Sequence, residues 1–253
     1  MLQSPPGFIV RTEAQKAAWD NGFRLERGVR DGWLGYASTT AHGEIWIAAA
    51  ADTGPWFLAL THPGVVGEFG PPSAPAGLGR PAWVFASAGE LHQALDRAYR
   101  LAVSLPDLPL KAFQARTREL PRATEAERLV VQRIGQDVFR DALMHYWGGR
   151  CPLTGITDPE LLRASHIVGW AECDDDAQRL DVHNGLLLSA LWDAAFDRGL
   201  VSFDDDGRVL ASPRLSNEGR RALSLHSIVS ISGLTDAHLA NLQRHRERFG
   251  PFT

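Results

Sequence analysis

The chain has 253 residues, a formal net charge of −4, a hydrophobic content of 44% and two cysteines. This apolar content is enough to build folded cores and excludes a disordered chain, and two cysteines are too few for a disulfide scaffold or a four-cysteine zinc site. The length predicts two compact domains, or one domain with a sizeable appendage. The mildly acidic charge does not favour a simple DNA-binding protein and is equally typical of an enzyme that acts on small molecules.

The first hundred residues alternate between short apolar runs and breaks rich in Gly and Pro. Thr12–Asn21 is predicted to be a short capped helix, and strands are predicted within Trp33–Ala51, Trp56–Leu60 and Trp83–Ala86. Ser87–Leu105 opens with a capping Ser and has apolar residues at helical spacing, which predicts an amphipathic helix. These elements predict a small N-terminal α+β domain over residues 1–105.

A proline-rich segment follows, and residues 106–123 are predicted to be a linker. This segment includes the basic cluster Lys111–Arg122, which is suited to lie along a phosphate backbone. Thr124–Trp147 is predicted to be a helix with Thr124 as its cap. A last helix is predicted over Leu234–Phe249, so the second domain is expected to span residues 124–253.

Within the second domain, three residues between Cys151 and Gly207 are suited to metal-assisted chemistry. His166 lies in the apolar run ASHIV, Asn184 comes 18 residues later before a Gly, and Asp193 comes nine residues after that in a predicted helix. A histidine can serve as a general base near neutral pH, and a carboxylate suits Mg²⁺ or Mn²⁺. Taken singly, each residue also fits an ordinary structural role: a core histidine, an Asn-Gly turn and a solvated helix carboxylate.

Four stretches of this segment resemble the HNH endonucleases found in bacterial restriction proteins. They read RIGQDVFRDALMHYWGGRCPLTG, LLRASHIVGW, RLDVHNGLLL and DAAFDRGLVSFDDDG, and the resemblance covers roughly Arg133–Gly207. It implies a helix-flanked ββα-metal nuclease domain. It further implies that His166 is the general base, that Asn184 orients the site and can touch the metal, and that Asp193 stands at the place of the family's final His as a metal ligand.

The sequence departs from the family pattern at two positions of the motif. Asp193 replaces a His, which favours Mg²⁺ or Mn²⁺ over Zn²⁺ as the one divalent cation per site. Ser165 stands where many relatives have an acidic or histidine ligand, so the ligand set is short by one residue. The candidates to complete or support it are Asp197, Asp181, His183 and Ser165 itself. No structural zinc is expected, since Cys151 lacks the paired cysteines that bind zinc in some relatives.

The resemblance implies a metal-dependent endonuclease that hydrolyses phosphodiester bonds of double-stranded DNA. One such site cuts one strand, so a homodimer is expected for double-strand cleavage. The absence of a signal peptide and of a transmembrane-length apolar run leads us to expect a cytoplasmic protein without a membrane partner.

The order of the two domains resembles modification-dependent restriction endonucleases, which implies that the N-terminal domain senses methylated DNA. Aromatic and hydroxyl side chains of that domain are suited to contact a flipped base or a phosphate, although the aromatic residues are equally explained as its core. The nucleic-acid-binding residues predicted in this way are Trp33, Tyr36, Ser38 and Thr39, with Arg198 in the nuclease domain.

Three other functions remain open at this stage. A toxin-type nuclease would cut DNA without regard to sequence or methylation. A catalytically decayed HNH protein would bind DNA without cutting it, and Ser165 and Asp193 are the departures that motivate this alternative. A small-molecule hydrolase, suggested by the acidic charge, would not bring the three motif residues together.

Overall fold

The computed structural model of the chain describes residues 1–105, 107–121, 123–227 and 230–252. The chain divides into two compact units, Met1–Val103 and Ser104–Thr253. Both units contain helices and strands, which confirms the predicted α+β class.

The first unit is built on one six-stranded antiparallel sheet with the strand order β1-β2-β3-β4-β6-β5. Its elements, in chain order, are α1 (Phe8–Asp20), β1 (Leu25–Arg30), β2 (Trp33–Ala37), β3 (Glu44–Ala49), β4 (Trp56–Leu60), α2 (Pro63–Glu68), β5 (Ala74–Gly77), β6 (Arg80–Phe85) and α3 (Ala88–Ser104).

The centre of this sheet is buried and one of its edges is exposed. The strand β2 is buried at every position, whereas every residue of the edge strand β1 is exposed. Trp33 and Trp46 pack with small alanines of β3, β4 and β6 into a core cluster. The helix α1 packs against β2 and β3, and it begins at Phe8, four residues before the predicted cap at Thr12.

The second unit contains more helix and two short strand pairs. Its elements, in chain order, are α4 (Asp107–Thr117), α5 (Glu125–Tyr146), β7 (Leu162–His166), α6 (Asp176–Leu180), β8 (Gly185–Ser189), α7 (Ala190–Asp197), β9 (Val201–Phe203), β10 (Val209–Ala211), α8 (Asn217–Ala222) and α9 (Asp236–Phe249). The strand β7 pairs with β8 and β9 pairs with β10, both antiparallel.

The helix α5 starts where its cap was predicted. The Thr124 hydroxyl accepts a hydrogen bond from the Glu127 backbone N–H, and the Glu127 carboxylate accepts one from the Thr124 N–H. This reciprocal pair satisfies N–H groups that have no partner within the helix. Most of the segment predicted as a linker forms α4, which packs against α5 and buries Phe113 and Thr117.

A ββα arrangement forms the centre of the second unit. In the β7–β8 pair, Ser165 lies opposite Leu186 and His166 opposite Gly185. The chain passes directly from β8 into α7, which packs against both strands, while α5 also packs against the pair. Among the described residues, no helix combines the length and the apolar character that crossing a membrane requires.

Candidate active site

Two carboxylates and one hydroxyl come together where α7 packs on β7. The Ser165 hydroxyl is buried and donates a hydrogen bond of 3.2 Å to Oδ1 of Asp197. Asp193 and Asp197 lie one helical turn apart on α7 and therefore project from similar faces. We call Asp193 and Asp197 the carboxylate pair.

The carboxylate pair holds negative charge in a partly dehydrated position. Burial raises the pKa of both carboxyl groups above the ordinary value, and the charge of Asp197 raises that of Asp193 further. The Ser165 hydrogen bond and the charge of Arg198 lower both pKa values in part. No Lys or Arg among the described residues lies within salt-bridge distance of either carboxylate.

This arrangement fits a hard divalent cation. A cation would relieve the repulsion within the carboxylate pair, and carboxylate oxygens are the ligands that Mg²⁺ and Mn²⁺ prefer. The described residues contain no cluster of three His, Cys, Asp or Glu side chains placed to bind a metal. Two carboxylates are sufficient for Mg²⁺, which usually retains several waters and uses substrate phosphate oxygens as further ligands.

His166 lies at the end of β7 with its ring stacked on Phe139, at 3.8 Å between ring centroids. Its Nε2 donates a hydrogen bond of 2.9 Å to the backbone carbonyl of Arg179. Because a carbonyl can only accept, this bond assigns the proton to Nε2 and leaves the lone pair on Nδ1. Burial lowers the pKa of His166 to about 4, so its imidazole is neutral at physiological pH.

The carbonyl that binds His166 is held in place by the Arg179 side chain. This guanidinium donates to the backbone carbonyls of Trp170 and Cys173 and pairs with Asp176 at 3.0 Å. Arg179 therefore fixes the segment between β7 and β8 and supports His166 through its backbone. A backbone carbonyl carries no signal in the residue type, so the sequence does not reveal this support of His166.

Asn184 is wholly buried, with 0% of its surface exposed. Its Oδ1 accepts a hydrogen bond of 2.8 Å from the Val168 N–H, and its Nδ2 donates to the Val168 carbonyl at 3.1 Å. Further contacts of Nδ2 reach Cys173 Sγ and the Gln178 carbonyl. The amide thus ties the residues after β7 to those before β8, and its oxygen is directed at the backbone of this loop.

The other predicted residues of the second unit have partners of their own. His183 Nδ1 and Asp181 Oδ1 are 2.7 Å apart, and the His183 ring packs against the His238 ring. Arg198 lies exposed after the end of α7 and donates to the Ala194 carbonyl. The hydrogen bonds therefore join Ser165 to the carboxylate pair, and join His166 and Asn184 to the loop between β7 and β8.

In the first unit, the two predicted aromatic contacts are buried. Trp33 is 5% exposed and packs in the core cluster, and Tyr36 is 3% exposed. Neither ring is available to stack on a base in this structure. The Ser38 hydroxyl lies 3.1 Å from that of Thr40, while Thr39 is exposed.

Gly185 gives Phe139 the space that it needs to stack on His166. A Cβ atom at position 185 would lie 2.5 Å from Phe139 Cζ and 2.8 Å from Leu143 Cδ1. We expect Gly185→Ala to lower the free energy of unfolding by about 1–3 kcal/mol through overpacking, as measured by urea unfolding. Gly169→Ala is the matched control, because its Cβ would meet no atom closer than 3.6 Å. An equal effect of both variants would contradict the expectation.

The geometry agrees with a comparison with known protein families. Two paired strands and a following helix that carry a histidine, an asparagine and two carboxylates have the form of a ββα nuclease module. Residues 151–204 match the family model described as HNH endonuclease, and this segment includes Ser165, His166, Asn184 and the carboxylate pair. This segment belongs to the HNH endonuclease family, which confirms the family predicted from the sequence. No curated protein matches the chain.

The chain therefore carries a domain of nuclease type, and such a domain implies DNA as the substrate. Nucleases of this family generally use a divalent metal ion.

Proposed function

We propose that the chain is a metal-dependent DNA endonuclease of restriction type, which hydrolyses a strand in its second unit and senses modified DNA through its first. The observation that carries this proposal is the carboxylate pair beside Ser165 on the ββα frame, within the segment that matches the HNH family.

Asp193 and Asp197 are proposed to hold Mg²⁺ or Mn²⁺, with Ser165 positioning the carboxylate of Asp197. Ser165 is therefore not a metal ligand in this proposal. It orients Asp197, and Asp197 supplies the carboxylate that takes the place of the missing family ligand. When bound, such a cation stabilises the charge that develops on a scissile phosphate.

His166 is proposed as the general base that takes a proton from water at Nδ1. The Arg179 carbonyl keeps the other nitrogen protonated, so the basic lone pair has a fixed direction. We assign Asn184 a positioning role, because its amide binds the loop that follows His166 and is closed to solvent.

The sensing of modified DNA by the first unit is supported by the order of the domains, which resembles modification-dependent restriction endonucleases. That support is an analogy between architectures. A homodimer, or two independent nicks, would account for cleavage of both strands, since each chain carries one carboxylate pair.

Plasmid nicking in Mg²⁺ or Mn²⁺ tests the nuclease proposal. We expect Asp193→Asn to lower the nicking rate by about 100-fold, because it removes a charged ligand of the cation. The same change is expected to leave the thermal midpoint equal or higher, since the charge of Asp193 is repelled by Asp197 and opposed by burial. Asp206→Asn is the control, because Asp206 is an exposed partner of Arg208.

A wild-type chain that binds DNA but cuts no substrate with either metal would instead identify a decayed, DNA-binding protein. The lack of a three-residue metal cluster among the described residues is the observation that favours this second function. Methylated and unmethylated copies of one plasmid test the sensing role. We expect faster cutting of the methylated copy, and equal rates would favour a toxin-type nuclease.

A further inference from the structure

The first unit contains a small polar cleft between α1 and the β1–β2 hairpin. Its volume is about 230 Å³, which is below the usual range of sites for drug-sized ligands and suits a smaller molecule. The residues that line it and carry the argument are Arg11, Gln15, Glu26, Gly28, Leu34 and Tyr36.

The local structure explains why these side chains meet. Arg11 and Gln15 are four residues apart on α1 and so share one helix face. Glu26 lies directly opposite Tyr36 across the β1–β2 pair. A register shift follows Glu26, and Gly28 has a φ of +83° with no atom within 4 Å of a Cβ built there. The cleft is therefore open above Gly28, beside a bulge of the kind often found next to functional sites.

The Tyr36 hydroxyl is the unusual feature of the cleft. The residue as a whole is 3% exposed, and its hydroxyl, which borders the cleft, makes no hydrogen bond to any residue that the structure describes. Burial raises the pKa of Tyr36 to about 12, with a further contribution from Glu26, so the hydroxyl stays protonated. The hydroxyl is not among the buried polar atoms that lack a partner, so its oxygen reaches the open cleft and is available to a ligand there.

Two other polar side chains of the cleft, Glu26 and Arg11, keep polar atoms that are available to a ligand. Gln15 Nε2 donates to Glu26 Oε1 at 2.8 Å, which leaves the second oxygen of the carboxylate. Arg11 Nε donates to the Pro6 carbonyl at 3.0 Å, which leaves its terminal nitrogens. One guanidinium and one carboxylate balance in charge, so the cleft favours a neutral ligand that both donates and accepts hydrogen bonds.

We infer that this cleft binds a single nucleobase, whose hydrogen-bonding edge meets the Tyr36 hydroxyl, the Glu26 carboxylate and the Arg11 guanidinium. A nucleobase is small, neutral and planar, and its edge carries adjacent donors and acceptors. This inference rests on the proposed function, because it gives the DNA-sensing unit its contact with a base. The base can come from a flipped nucleotide in DNA or from a free nucleoside, since both present the same edge.

The test uses the full chain in EDTA, which prevents metal-dependent cleavage. Short duplexes with a central cytosine or 5-methylcytosine are titrated, together with duplexes that carry 2-aminopurine beside that position. The free nucleosides are titrated by calorimetry. We expect Tyr36→Phe and Glu26→Gln to weaken binding of the nucleobase probe by about tenfold, as for one lost buried hydrogen bond. Asp96→Asn is the control, because Asp96 pairs with Arg100 on α3 and does not line the cleft, and it is expected to bind as the wild type does.

The thermal midpoint of Tyr36→Phe separates binding from folding. Because the hydroxyl has no partner among the described residues, its removal should leave the midpoint unchanged or raise it. A rise in 2-aminopurine fluorescence on binding identifies a flipped base, and binding of nucleosides without that rise identifies the free compound.

Wild-type affinity in both variants, or no binding of any nucleobase probe, would overturn the inference. Nicking assays keep it distinct from the nuclease proposal. If binding depends on Tyr36 while no metal supports cutting, only the nuclease proposal fails. If Asp193-dependent cutting occurs while Tyr36→Phe and Glu26→Gln bind normally, only the cleft proposal fails.

Discussion

Replacing His166 by alanine is expected to lower the rate of DNA cleavage by about 10²–10⁴-fold, which is the range for loss of a general base. The Arg179 carbonyl holds the Nε2 proton at 2.9 Å, and Phe139 stacks on the ring at 3.8 Å. The imidazole is therefore fixed in the tautomer whose Nδ1 can accept a proton. Single-turnover nicking of a supercoiled plasmid at saturating protein would measure the effect on the chemical step.

The alanine variant also removes a stacked ring, so its effect on folding has to be separated from its effect on chemistry. Added imidazole is expected to restore part of the cleavage rate, because a free base can enter the space that the side chain leaves. A role confined to packing against Phe139 would give no such rescue. His226→Ala, at an exposed position of the same unit, is the control. Wild-type nicking by His166→Ala would remove His166 from the mechanism.

The parts of the fold that follow from local chemistry were predictable from the sequence. The helix predicted over Thr124–Trp147 is observed as Glu125–Tyr146, because Thr124 and Glu127 form a capping box three residues apart. The ββα arrangement is also present, with the motif residues carried on β7, on the turn before β8 and on α7. Caps and short motifs depend on residues that are close together in the chain, so they can be predicted from the sequence alone.

The parts that depend on distant contacts were not predictable in the same way. Residues 106–123 were predicted to be a linker because they are rich in proline. Pro109 lies in the first turn of α4, where a missing N–H is tolerated, and burial of Phe113 stabilises the helix. Trp33 was a candidate to contact DNA, but whether it stacks on a base or packs on Ala59 is decided by strands that lie later in the sequence.

The same limit applies to the site. The residue types of His166 and Asn184 indicated a general base and an orienting amide. They did not indicate that the polar atoms of these side chains bind the backbone of Arg179 and Val168. Asp197 was one of several candidates to support the metal. It is distinguished by the Ser165 hydrogen bond, which depends on how α7 packs against β7.

Acid is expected to destabilise the second unit strongly, because it buries neutral histidines that are unrelated to the proposed mechanism. His238 is 0% exposed and His245 is 3% exposed. Burial, together with the nearby His183, lowers the pKa of His238 to about 3 against the opposing charge of Asp181. Burial also lowers the pKa of His245 to about 4, with Arg246 and Arg248 acting in the same direction and the hydrogen bond to the Phe196 carbonyl opposing it.

The hydrogen bonds explain why neither ring accommodates a second proton. His238 Nδ1 accepts from the Thr235 N–H, and His245 donates from Nε2 to the Phe196 carbonyl while Nδ1 faces the Ser202 hydroxyl at 3.0 Å. A further proton would have to enter at Nδ1 of each ring. It would break the Thr235 bond in the first case and force the Ser202 hydroxyl to reorient in the second.

The sign of the effect follows from proton linkage. Below a pH of about 6.5 the unfolded chain binds protons at both histidines while the folded chain does not, so stability falls as the pH falls. Each of these two histidines contributes about 2 kcal/mol of this loss between pH 8 and pH 5. His166, whose pKa burial lowers to about 4, contributes a similar amount, so the three together account for about 6 kcal/mol. That sum is comparable with the whole stability of many domains, and it corresponds to a change of about 10⁴-fold in the unfolding equilibrium.

Urea unfolding at pH 8 and at pH 5, followed by far-UV circular dichroism, would measure this loss. His245→Asn is expected to unfold more easily at pH 8, since it disrupts the stacking on Phe196, but to lose about a third of the pH dependence, since His166 and His238 retain their shares. His226→Gln is the control, because an exposed side chain is hydrated in both states. The informative quantity is the difference between the free energies of unfolding at pH 8 and at pH 5. A packing defect lowers the free energy of unfolding equally at both pH values, whereas loss of a buried neutral imidazole changes the difference between them. If this difference is the same in His245→Asn as in the wild type, His245 takes up its proton without unfolding.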